Sequence, residues 1–541
     1  MKENCLILGA GLMQKPAILA AKELDYNAVV IDADDKAVSI PYADAFKKID
    51  LKAKEEILEF AEALKNNGGL AAVFTAGTDF SASVSYVCQK LNLCAHSYDA
   101  ALNASIKSRM RACFDAAKVP SPSFLEVNEQ NIDDKLLEKA LEKMDFPLVV
   151  KPVDNMGGRG CRMVRSALEF KSAVSAAVKA SRSKTAIVES YMEGPEYSID
   201  ALIFNGQMII TGFAERHIKY PPYFIEVGHT MPAVLDKKIH DELISVFALG
   251  AKALGLTCGV AKADIKYTKN GPMIGEIAGR LSGGYMSGWT FPYASELNLT
   301  KQALLIACGK TPEEALSKRI PVDYNPGEKC TNLERPYELF EYPCTRTSAE
   351  RAWISIPGTV EYIENINEYT DKAVFDILPR ATVSLGSDVD FPRNNVQKCG
   401  NIISVSSSRE IAINAAEDAV SNVFITLKPD NPKTEKFLSN ICECDEDKFP
   451  PSAFPDVTKA DFDSISGTID QGKKIEKSIP EVLKKSEYKD IRDWNYNTIL
   501  ESAKKFDLLR PKHKALDAKK FWQALIRGGI QAAVYVCDSQ N

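Results

Sequence analysis

Short apolar segments alternate with longer, mixed segments up to about residue 100 of the chain. The runs VVID and AAVFTAGTD are typical of strands, whereas KAKEEILEFAEALKNNG and SASVSYVCQKLNL are typical of helices. Strands that alternate with helices in this way predict βαβ units. We therefore predict an α/β lobe in the first part of the chain.

The loop after the first predicted strand has part of a dinucleotide-binding pattern. Residues 5–11 form an apolar strand that runs into GAG, and a second strand, residues 28–31, ends at Asp32. Gln14 stands where the GxGxxG pattern has its third glycine, and a partial match is a weak signal. NAD binding is therefore disfavoured, and a dehydrogenase ranks last among the functions considered.

A second glycine-rich turn follows an apolar run in FPLVVKPVDNMGGRG, residues 146–160. Gly157, Gly158 and Gly160 would let backbone N–H groups approach phosphate oxygens, and Lys151 would add a positive charge at the strand end. The segment is not a Walker A loop, because Lys151 precedes the glycines. It predicts a phosphate-binding loop, with a flexible surface turn as the alternative.

The segment AIVESYMEGPEYSID, residues 186–200, has the character of a nucleoside-binding linker. Glu189 ends an apolar strand, a Gly-Pro turn follows, and the chain resumes with Glu196. Such a linker would offer backbone groups to a flat base and a carboxylate to ribose hydroxyls.

The segment AKADIKYTKNGPMIGEIAGRLSGG predicts a hairpin with two acidic strands. A three-residue loop, residues 269–271, would place Thr268 opposite Pro272 and Asp264 opposite Glu276. A two-residue loop would instead send the two carboxylates to opposite faces.

Basic residues accompany these carboxylates. Lys262 shares a face with Asp264 because side chains alternate with period two, and Arg280 follows where the second strand runs into a Gly-rich loop. Paired carboxylates suit Mg²⁺, which prefers oxygen ligands and is usually shared with nucleotide phosphates. The segment predicts a metal-and-phosphate site, with a surface hairpin of ordinary charges as the alternative.

In this order, the motifs resemble those of the ATP-grasp ligases, which activate a carboxylate as an acyl phosphate. The resemblance covers Met1 to about residue 430, and it makes the glycine-rich turn a mobile lid. It implies Mg²⁺, with Mn²⁺ as an alternative, at Asp264 and Glu276, and contact of Arg280 with the acyl phosphate. It implies ATP contacts from Lys107, Lys151, Gly157, Gly158, Gly160, Glu189, Met192, Glu196 and Lys262, with Glu189 and Met192 at the adenine and Glu196 at the ribose.

Two positions depart from the family pattern. Ala278 stands where the family often has Asn, and Met156 stands where the lid often has Ser. Ala278 leaves open whether one metal ion binds or two.

The acceptor region is the segment TGFAERHIKYPPYFIEVGHTMP. Its Glu226 and His229 resemble a motif of ATP-grasp ligases that make dipeptides or amino-acid amides. The resemblance makes Arg280, His229 and Glu226 the predicted catalytic residues. A structural role for His229 is the alternative, because a solitary histidine is more often structural.

Composition narrows the classes of partner. The chain has 541 residues, 45% hydrophobic content and a net charge of -6, with no apolar stretch near the roughly 20 residues of a membrane span. The acidic balance argues against nucleic acid, and 13 cysteines without CxxC spacing are typical of reduced thiols. We therefore expect a cytoplasmic protein with small-molecule carboxylate and amine substrates, no nucleic-acid or membrane partner, and a homodimer as one option.

The predicted fold class is α/β and α+β multidomain. We expect a Rossmann-like pre-ATP-grasp domain at residues 1–104 and an ATP-grasp nucleotide-binding and catalytic domain at residues 105–310. A C-terminal ATP-grasp lobe at residues 311–430 and a mostly helical extension at residues 431–541 would follow.

The function that these observations favour is ATP-dependent coupling of a carboxylate, as its acyl phosphate, to an amine. The carboxylate would be that of an amino acid, and ADP and phosphate would be released. The alternatives are a ligase acting on a nucleotide precursor or on bicarbonate, and a non-catalytic ATP-binding subunit.

Overall fold

The computed structural model describes residues 2–133, 135–364, 371–380, 382–439 and 449–540. The chain separates into two compact units. Unit 1 comprises Met1–Met156, Met163–Arg216 and His229–Ser348, and unit 2 comprises Gly157–Arg162, His217–Gly228 and Ala349–Asn541. Within the described ranges, no helix is both long enough and apolar enough to cross a bilayer. The division into four domains stays a prediction.

Unit 1 begins with the predicted α/β lobe. Its strands are β1 (Asn4–Leu8), β2 (Asn27–Asp32), β3 (Ala45–Lys48) and β4 (Leu70–Phe74). Its helices are α1 (Lys15–Glu23), α2 (Lys54–Asn66), α3 (Ser81–Leu91) and α4 (Tyr98–Ser105). The strands pair in parallel in the order β3-β2-β1-β4, and β1 is buried along its whole length, as expected for a central strand of a parallel sheet.

Gln14 links the loops that follow β1 and β4, where the strand order of this sheet reverses. Its side-chain oxygen accepts from the Gly11 N–H at 3.0 Å, and its amide nitrogen donates to the Ala76 carbonyl. A reversal of strand order is where doubly wound sheets bind nucleotides. The residue that replaces the third glycine therefore lies in that crevice, which agrees with the argument against a dinucleotide.

Two antiparallel sheets and their helices follow. Of the residues in the strands and helices named next, Arg162 and residues 217–219 and 225–228 belong to unit 2, and the others belong to unit 1. The strands are β5 (Phe124–Asn128), β6 (Leu148–Pro152), β7 (Arg162–Val164), β8 (Thr185–Ser190), β9 (Glu196–Phe204), β10 (Gln207–Lys219), β11 (Ile225–Met231), β12 (Gly259–Thr268) and β13 (Gly271–Ala278). The helices are α5 (Lys107–Ala117), α6 (Leu136–Leu141), α7 (Ala167–Ala180) and α8 (Lys237–Leu254). One sheet has the order β5-β8-β6-β7, and the other contains the run β13-β12-β9-β10.

Apolar residues spaced three and four positions apart predict a helix over residues 237–254, and helix α8 has these bounds. Gly255 ends it in the left-handed conformation, at φ 85°, which glycine adopts without strain. Most of its middle is buried because it packs against β12 and β13, the strands of the predicted hairpin. The helix thus supports the candidate site from behind.

Short elements complete unit 1. They are α9 (Phe291–Ser295), α10 (Leu299–Ala307), α11 (Glu313–Ser317), β14 (Ile320–Pro321) and β15 (Glu338–Glu341). Strand β15 pairs in parallel with β10.

Unit 2 contains further β-strands, the first of which begins two residues earlier in unit 1, and a helical C-terminal segment. The strands are β16 (Thr347–Trp353), β17 (Gly358–Glu364), β18 (Val374–Pro379), β19 (Asp388–Val389), β20 (Gly400–Ser406), β21 (Phe424–Leu427), β22 (Thr468–Ile469) and β23 (Leu516–Asp517). The helices are α12 (Arg409–Ser421), α13 (Pro432–Ser439), α14 (Lys459–Asp463), α15 (Ile499–Leu509) and α16 (Ala518–Asp538). The predicted fold class is confirmed, because the structure has a parallel N-terminal sheet, antiparallel sheets and a helical C-terminal segment.

One hydrophobic core joins the two predicted C-terminal segments. Trp353 and Phe391 from the first pack in the same cluster as Phe454, Phe506 and Trp522 from the second. Trp522 is completely buried, so the tail is part of a folded core.

Candidate active site

The hairpin of β12 and β13 has a shorter turn than the sequence predicts. Thr268 pairs with Gly271, so the loop has two residues, and the predicted pairing of Thr268 with Pro272 is wrong. Asp264 nevertheless pairs with Glu276, as predicted. Cross-strand partners share a face of the sheet, so both carboxylates point to the same side.

A β-bulge reconciles the short turn with the carboxylate pairing. Ile265 pairs with Ile274 and the next pair skips Gly275, which is the extra residue on β13. The carbonyl of Gly275 accepts a hydrogen bond of 2.6 Å from Nη2 of Arg111. The bulge shifts the register by one residue, which offsets the residue missing from the turn.

Four cationic side chains act electrostatically on the carboxylate of Glu276. Nζ of Lys107 lies 3.5 Å from Oε1 of Glu276. Burial alone would raise the pKa of Glu276, but the positive charges lower it to about 2, and they come from Lys107, Lys262, Lys151 and Arg280. Glu276 therefore stays ionised at neutral pH, and the structure brings all five of these predicted site residues together.

Asp264 belongs to a second group of charges, centred on Arg216. Nη1 of Arg216 lies 2.9 Å from Asp264 and 2.6 Å from Glu196. Lys262 also contacts the Asp264 carboxylate. Arg216 thus connects the predicted metal ligand with the predicted ribose ligand.

Glu189 lies in a buried ion triad. Nε of Arg111 is 2.8 Å from one of its oxygens, and Nζ of Lys151 is 2.6 Å from the other. Burial would raise the pKa of Glu189, but Arg111 and Lys151 outweigh it and lower that pKa below its ordinary value. The predicted adenine-linker residue and the second predicted phosphate lysine are therefore ion-paired.

The linker after Glu189 is held by a lysine from the hairpin. Nζ of Lys266 donates to the Met192 carbonyl at 3.1 Å and lies 3.5 Å from Glu196. The same ammonium lies 5.0 Å from the ring centroid of Tyr191, within cation–π range. Lys266 therefore ties the predicted adenine and ribose positions to β12.

Arg280 lies where β13 has ended. Its Nη2 is 3.5 Å from Asp79, which follows β4, and its Nη1 donates to the Leu281 carbonyl at 3.0 Å. Gly77 also donates to the Leu281 carbonyl, at 3.3 Å. The loop after Arg280 is thus anchored on the N-terminal lobe of unit 1.

The predicted lid glycines belong to unit 2. Gly157, Gly158 and Gly160 have φ of 65°, 74° and 74°, in the left-handed region that favours glycine. The Gly157 carbonyl accepts a 2.9 Å hydrogen bond from the Asn395 N–H. The phosphate-binding role of these glycines stays a prediction.

The two predicted acceptor residues lie in different units. In unit 1, His229 is fully buried, and its Nε2 shares a 2.7 Å hydrogen bond with Thr290. In unit 2, the backbone N–H of Glu226 donates to Asn395 at 2.8 Å, and its carbonyl accepts from Lys398 at 2.8 Å. Their predicted catalytic roles stay predictions.

Sequence reasoning did not assign three basic residues of this site: Arg111, Arg216 and Lys266. One signal was available for Arg111, which lies four positions after Lys107 on α5 and therefore on the same helix face. Arg216 and Lys266 gave no comparable signal, because a basic residue in a strand has the same local pattern whether it is solvated or paired.

With this geometry in place, comparisons with known proteins identify the domain. Residues 144–288 match the family model of the ATP-grasp domain. These residues form an ATP-grasp domain. The matched ATP-grasp residues include Lys151, Glu189, Asp264, Glu276 and Arg280, whereas Lys107 lies before them.

The chain is also similar to other proteins over stretches longer than the ATP-grasp domain. It is 22% identical to the uncharacterized protein y4rH of Sinorhizobium fredii over 445 residues, which are 81% of this chain and 83% of that protein. It is 23% identical to carnosine synthase 1 of Homo sapiens over 333 residues, which are 57% of this chain but only 40% of that enzyme. The L-amino acid ligase of Bacillus licheniformis superposes with a TM-score of 0.63 at 18% identity, covering 79% of this chain and 99% of that one. At that identity the superposition shows a shared fold.

Proposed function

We propose that this ATP-grasp protein is a ligase that activates the carboxylate of an amino acid as an acyl phosphate and couples it to an amine, with release of ADP and phosphate. The observation that supports this most is the position of Glu276, an ionised carboxylate among Lys107, Lys151, Lys262 and Arg280. Three of these cations also pair with other carboxylates, so the site holds its positive charges in fixed positions that a polyphosphate could use.

The donor set at the hairpin fits Mg²⁺. Asp264 and Glu276 pair across the two strands, and Glu276 is ionised, with its pKa lowered to about 2. Two carboxylates together with nucleotide oxygens form the kind of oxygen ligand set that Mg²⁺ usually takes. We propose that Asp264 and Glu276 hold Mg²⁺, which when bound would neutralise part of the nucleotide's charge.

The residues of unit 1 then have distinct roles in the proposed reaction. A substrate carboxylate attacks the γ-phosphate of ATP, and an amine then attacks the acyl phosphate and expels inorganic phosphate. Lys107, Lys151 and Arg280 would stabilise the charge on the transferred group, since phosphoryl transfer depends mainly on positioning and electrostatics. Glu196 would bind the ribose and the backbone near Met192 the adenine.

An acyl phosphate hydrolyses when water reaches it, which gives a lid a physical purpose. We propose that Gly157, Gly158 and Gly160 form this lid. Their φ angles lie in the left-handed region, which supports a requirement for glycine at these positions of the loop.

The names of two similar proteins support an amino-acid substrate. One is an L-amino acid ligase and the other a carnosine synthase. We propose that Glu226 and His229 contribute to recognition of the acceptor.

The experiment that tests the proposal is phosphate release from MgATP by the purified full chain. The twenty amino acids are added singly and in pairs, with bicarbonate and purine precursors in separate wells. Release that depends on an amino acid, together with a new amide detected by mass, would support the proposal. Release only with bicarbonate or a purine precursor would replace the substrate class, and no release in any well with MgADP binding intact would favour a non-catalytic subunit.

A further inference from the structure

Asp200, in the middle of β9, is a fully buried carboxylate that the proposed reaction does not use. Its Oδ2 accepts two hydrogen bonds from Ser282, one of 3.0 Å from the backbone N–H and one of 2.8 Å from the hydroxyl. Within the part of the chain that the structure describes, Oδ1 of Asp200 has no hydrogen-bond partner. A buried ionisable group without full compensation costs free energy of folding, so we expect Asp200 to have a structural or functional role.

Two cations face this carboxylate. Lys262 on β12 is the register partner of Asp200, and Arg280 follows β13. Gly212, its partner on β10, has no charge. Burial raises the pKa of Asp200 to about 6, and Ser282, Lys262 and Arg280 oppose that rise. Asp200 is therefore near its titration point at mildly acidic pH.

Ser282 connects Asp200 to both ends of one loop. It lies two residues after Arg280, and its carbonyl accepts a 2.6 Å hydrogen bond from the Ser287 hydroxyl. Ser287 lies in the π-helical turn Met286–Thr290, and Thr290 bonds to His229. One short loop thus joins two of the predicted catalytic residues, and Asp200 holds it from the sheet beneath.

We propose that Asp200 is a positioning residue that acts through Ser282 to fix the loop from Arg280 to Thr290. Because its side chain is fully buried, Asp200 does not itself touch a substrate. Its catalytic consequence rests on the proposed function, in which Arg280 contacts the acyl phosphate. Its structural consequence, that one carboxylate holds the loop, does not depend on the proposed function.

The first test is hydrogen exchange of residues 281–290 in the full chain, measured by mass spectrometry at pH 7.5. Asp200→Asn keeps the shape and an acceptor but removes the charge, so we expect exchange to rise about 10-fold. The control is Thr211→Val, which removes a 3.3 Å hydrogen bond to the Asp200 carbonyl and leaves the carboxylate intact. We expect this control to stay within about 2-fold of the wild-type chain.

Ser282→Ala is the second variant, and it keeps the test decisive if Asp200→Asn does not fold. It loses the hydroxyl bond and keeps the backbone bond, so exchange should rise about 3-fold. Unchanged exchange in the folded Asp200 or Ser282 variant, or an equal rise in the Thr211 control, would overturn the proposal.

The second test is the pH profile of phosphate release. We expect Asp200→Asn to lower kcat about 10-fold or more with KM for ATP unchanged, because the loop follows the phosphate-binding residues. The wild-type rate should fall as pH drops through about 6, and this limb should be absent from the variant, which has no proton to gain. An acid limb retained in the variant would contradict the role of the Asp200 charge.

The two tests separate the two proposals. If the wild-type chain releases no phosphate but binds MgADP, the proposed function fails, and the exchange measurement still decides whether Asp200 holds the loop.

Discussion

Lys107, Lys151, Lys262 and Arg280 all act on the single carboxylate of Glu276. Such a concentration of positive charge is unfavourable by itself and becomes favourable when a polyphosphate or a carboxylate compensates it. At the residue scale, the site is therefore organised around charge balance.

Loss of Glu276 should abolish turnover. Glu276→Ala would leave the four cations without their shared anion and remove one proposed metal ligand, so we expect phosphate release to fall at least about 100-fold. Binding of Mn²⁺ with ADP, followed by electron paramagnetic resonance, should weaken in parallel. Glu338→Ala, at an exposed position of β15, is the control and should retain both properties. Unchanged phosphate release in Glu276→Ala would exclude the metal assignment.

The buried triad of Glu189 yields a stability prediction. Arg111→Met would leave Glu189 with only Lys151 as its partner, and breaking a buried ion pair should lower the free energy of unfolding by about 3–5 kcal/mol. The control is Arg109→Met on the same helix, whose 3.8 Å contact with Asp99 is exposed and should contribute less than about 1 kcal/mol. Thermal melting of both variants checks this, and equal melting temperatures would contradict it.

The same triad predicts how this difference depends on pH. The folded pKa of Glu189 is lowered, so its ion pairing stabilises the fold above its unfolded pKa, and this contribution is lost as pH falls through the folded pKa. The gap in melting temperature between wild type and Arg111→Met should therefore narrow as the pH is lowered below the ordinary range of a glutamate. A gap that widens on acidification would contradict the assignment.

At the scale of elements, the bulge at Gly275 decides whether the hairpin can form a site. With a two-residue turn and no bulge, Asp264 and Glu276 would lie on opposite faces. The sequence predicted the pairing of the carboxylates but assigned it to a longer turn. A bulge has little local signature, because Gly275 is one of many glycines and the choice depends on Arg111 and the neighbouring strand β9.

Deletion of Gly275 should remove the bulge and keep the carboxylate pairing, because Ile274 would then be followed directly by Glu276, opposite Asp264. We expect phosphate release to stay within about 10-fold of the wild type, because both carboxylates still share a face, although the hydrogen bond of Arg111 to the Gly275 carbonyl is lost. Gly271→Ala at the hairpin tip is the control for glycine loss, since nothing lies within 4 Å of an added Cβ there, although its φ of 90° adds some strain. Loss of phosphate release in a deletion variant whose far-ultraviolet circular dichroism matches the wild type would show that the carboxylate pairing alone is not sufficient.

At the scale of the whole molecule, the predicted C-terminal lobe and the predicted extension share one core in unit 2. Phe391 from the lobe packs in the same cluster as Phe506 and Trp522 from the extension. The extension therefore stabilises unit 2 whatever further role it has.

Trp522→Ala should destabilise unit 2 strongly. Removing a fully buried tryptophan costs about 3–5 kcal/mol, so we expect a lower melting temperature and faster limited proteolysis of residues in unit 2. Leu508→Ala on α15 is the control, because that side chain is 80% exposed and should be neutral. Equal proteolysis of the two variants would contradict a shared core.

The sequence by itself determined the order of strands and helices, the bounds of α8, the pairing of Asp264 with Glu276 and the identity of the basic residues that meet Glu276. The elements and the carboxylate pairing follow from local periodicity and residue type, whereas Lys107 was assigned from the resemblance to the ATP-grasp ligases. The tertiary structure decided the bulge at Gly275, the triad of Glu189 with Arg111 and Lys151, and the links that Arg216 and Lys266 make. Each of these features joins segments that lie far apart along the chain. A buried charge is stable only beside a partner, and the packing of the folded chain determines which partner is within reach.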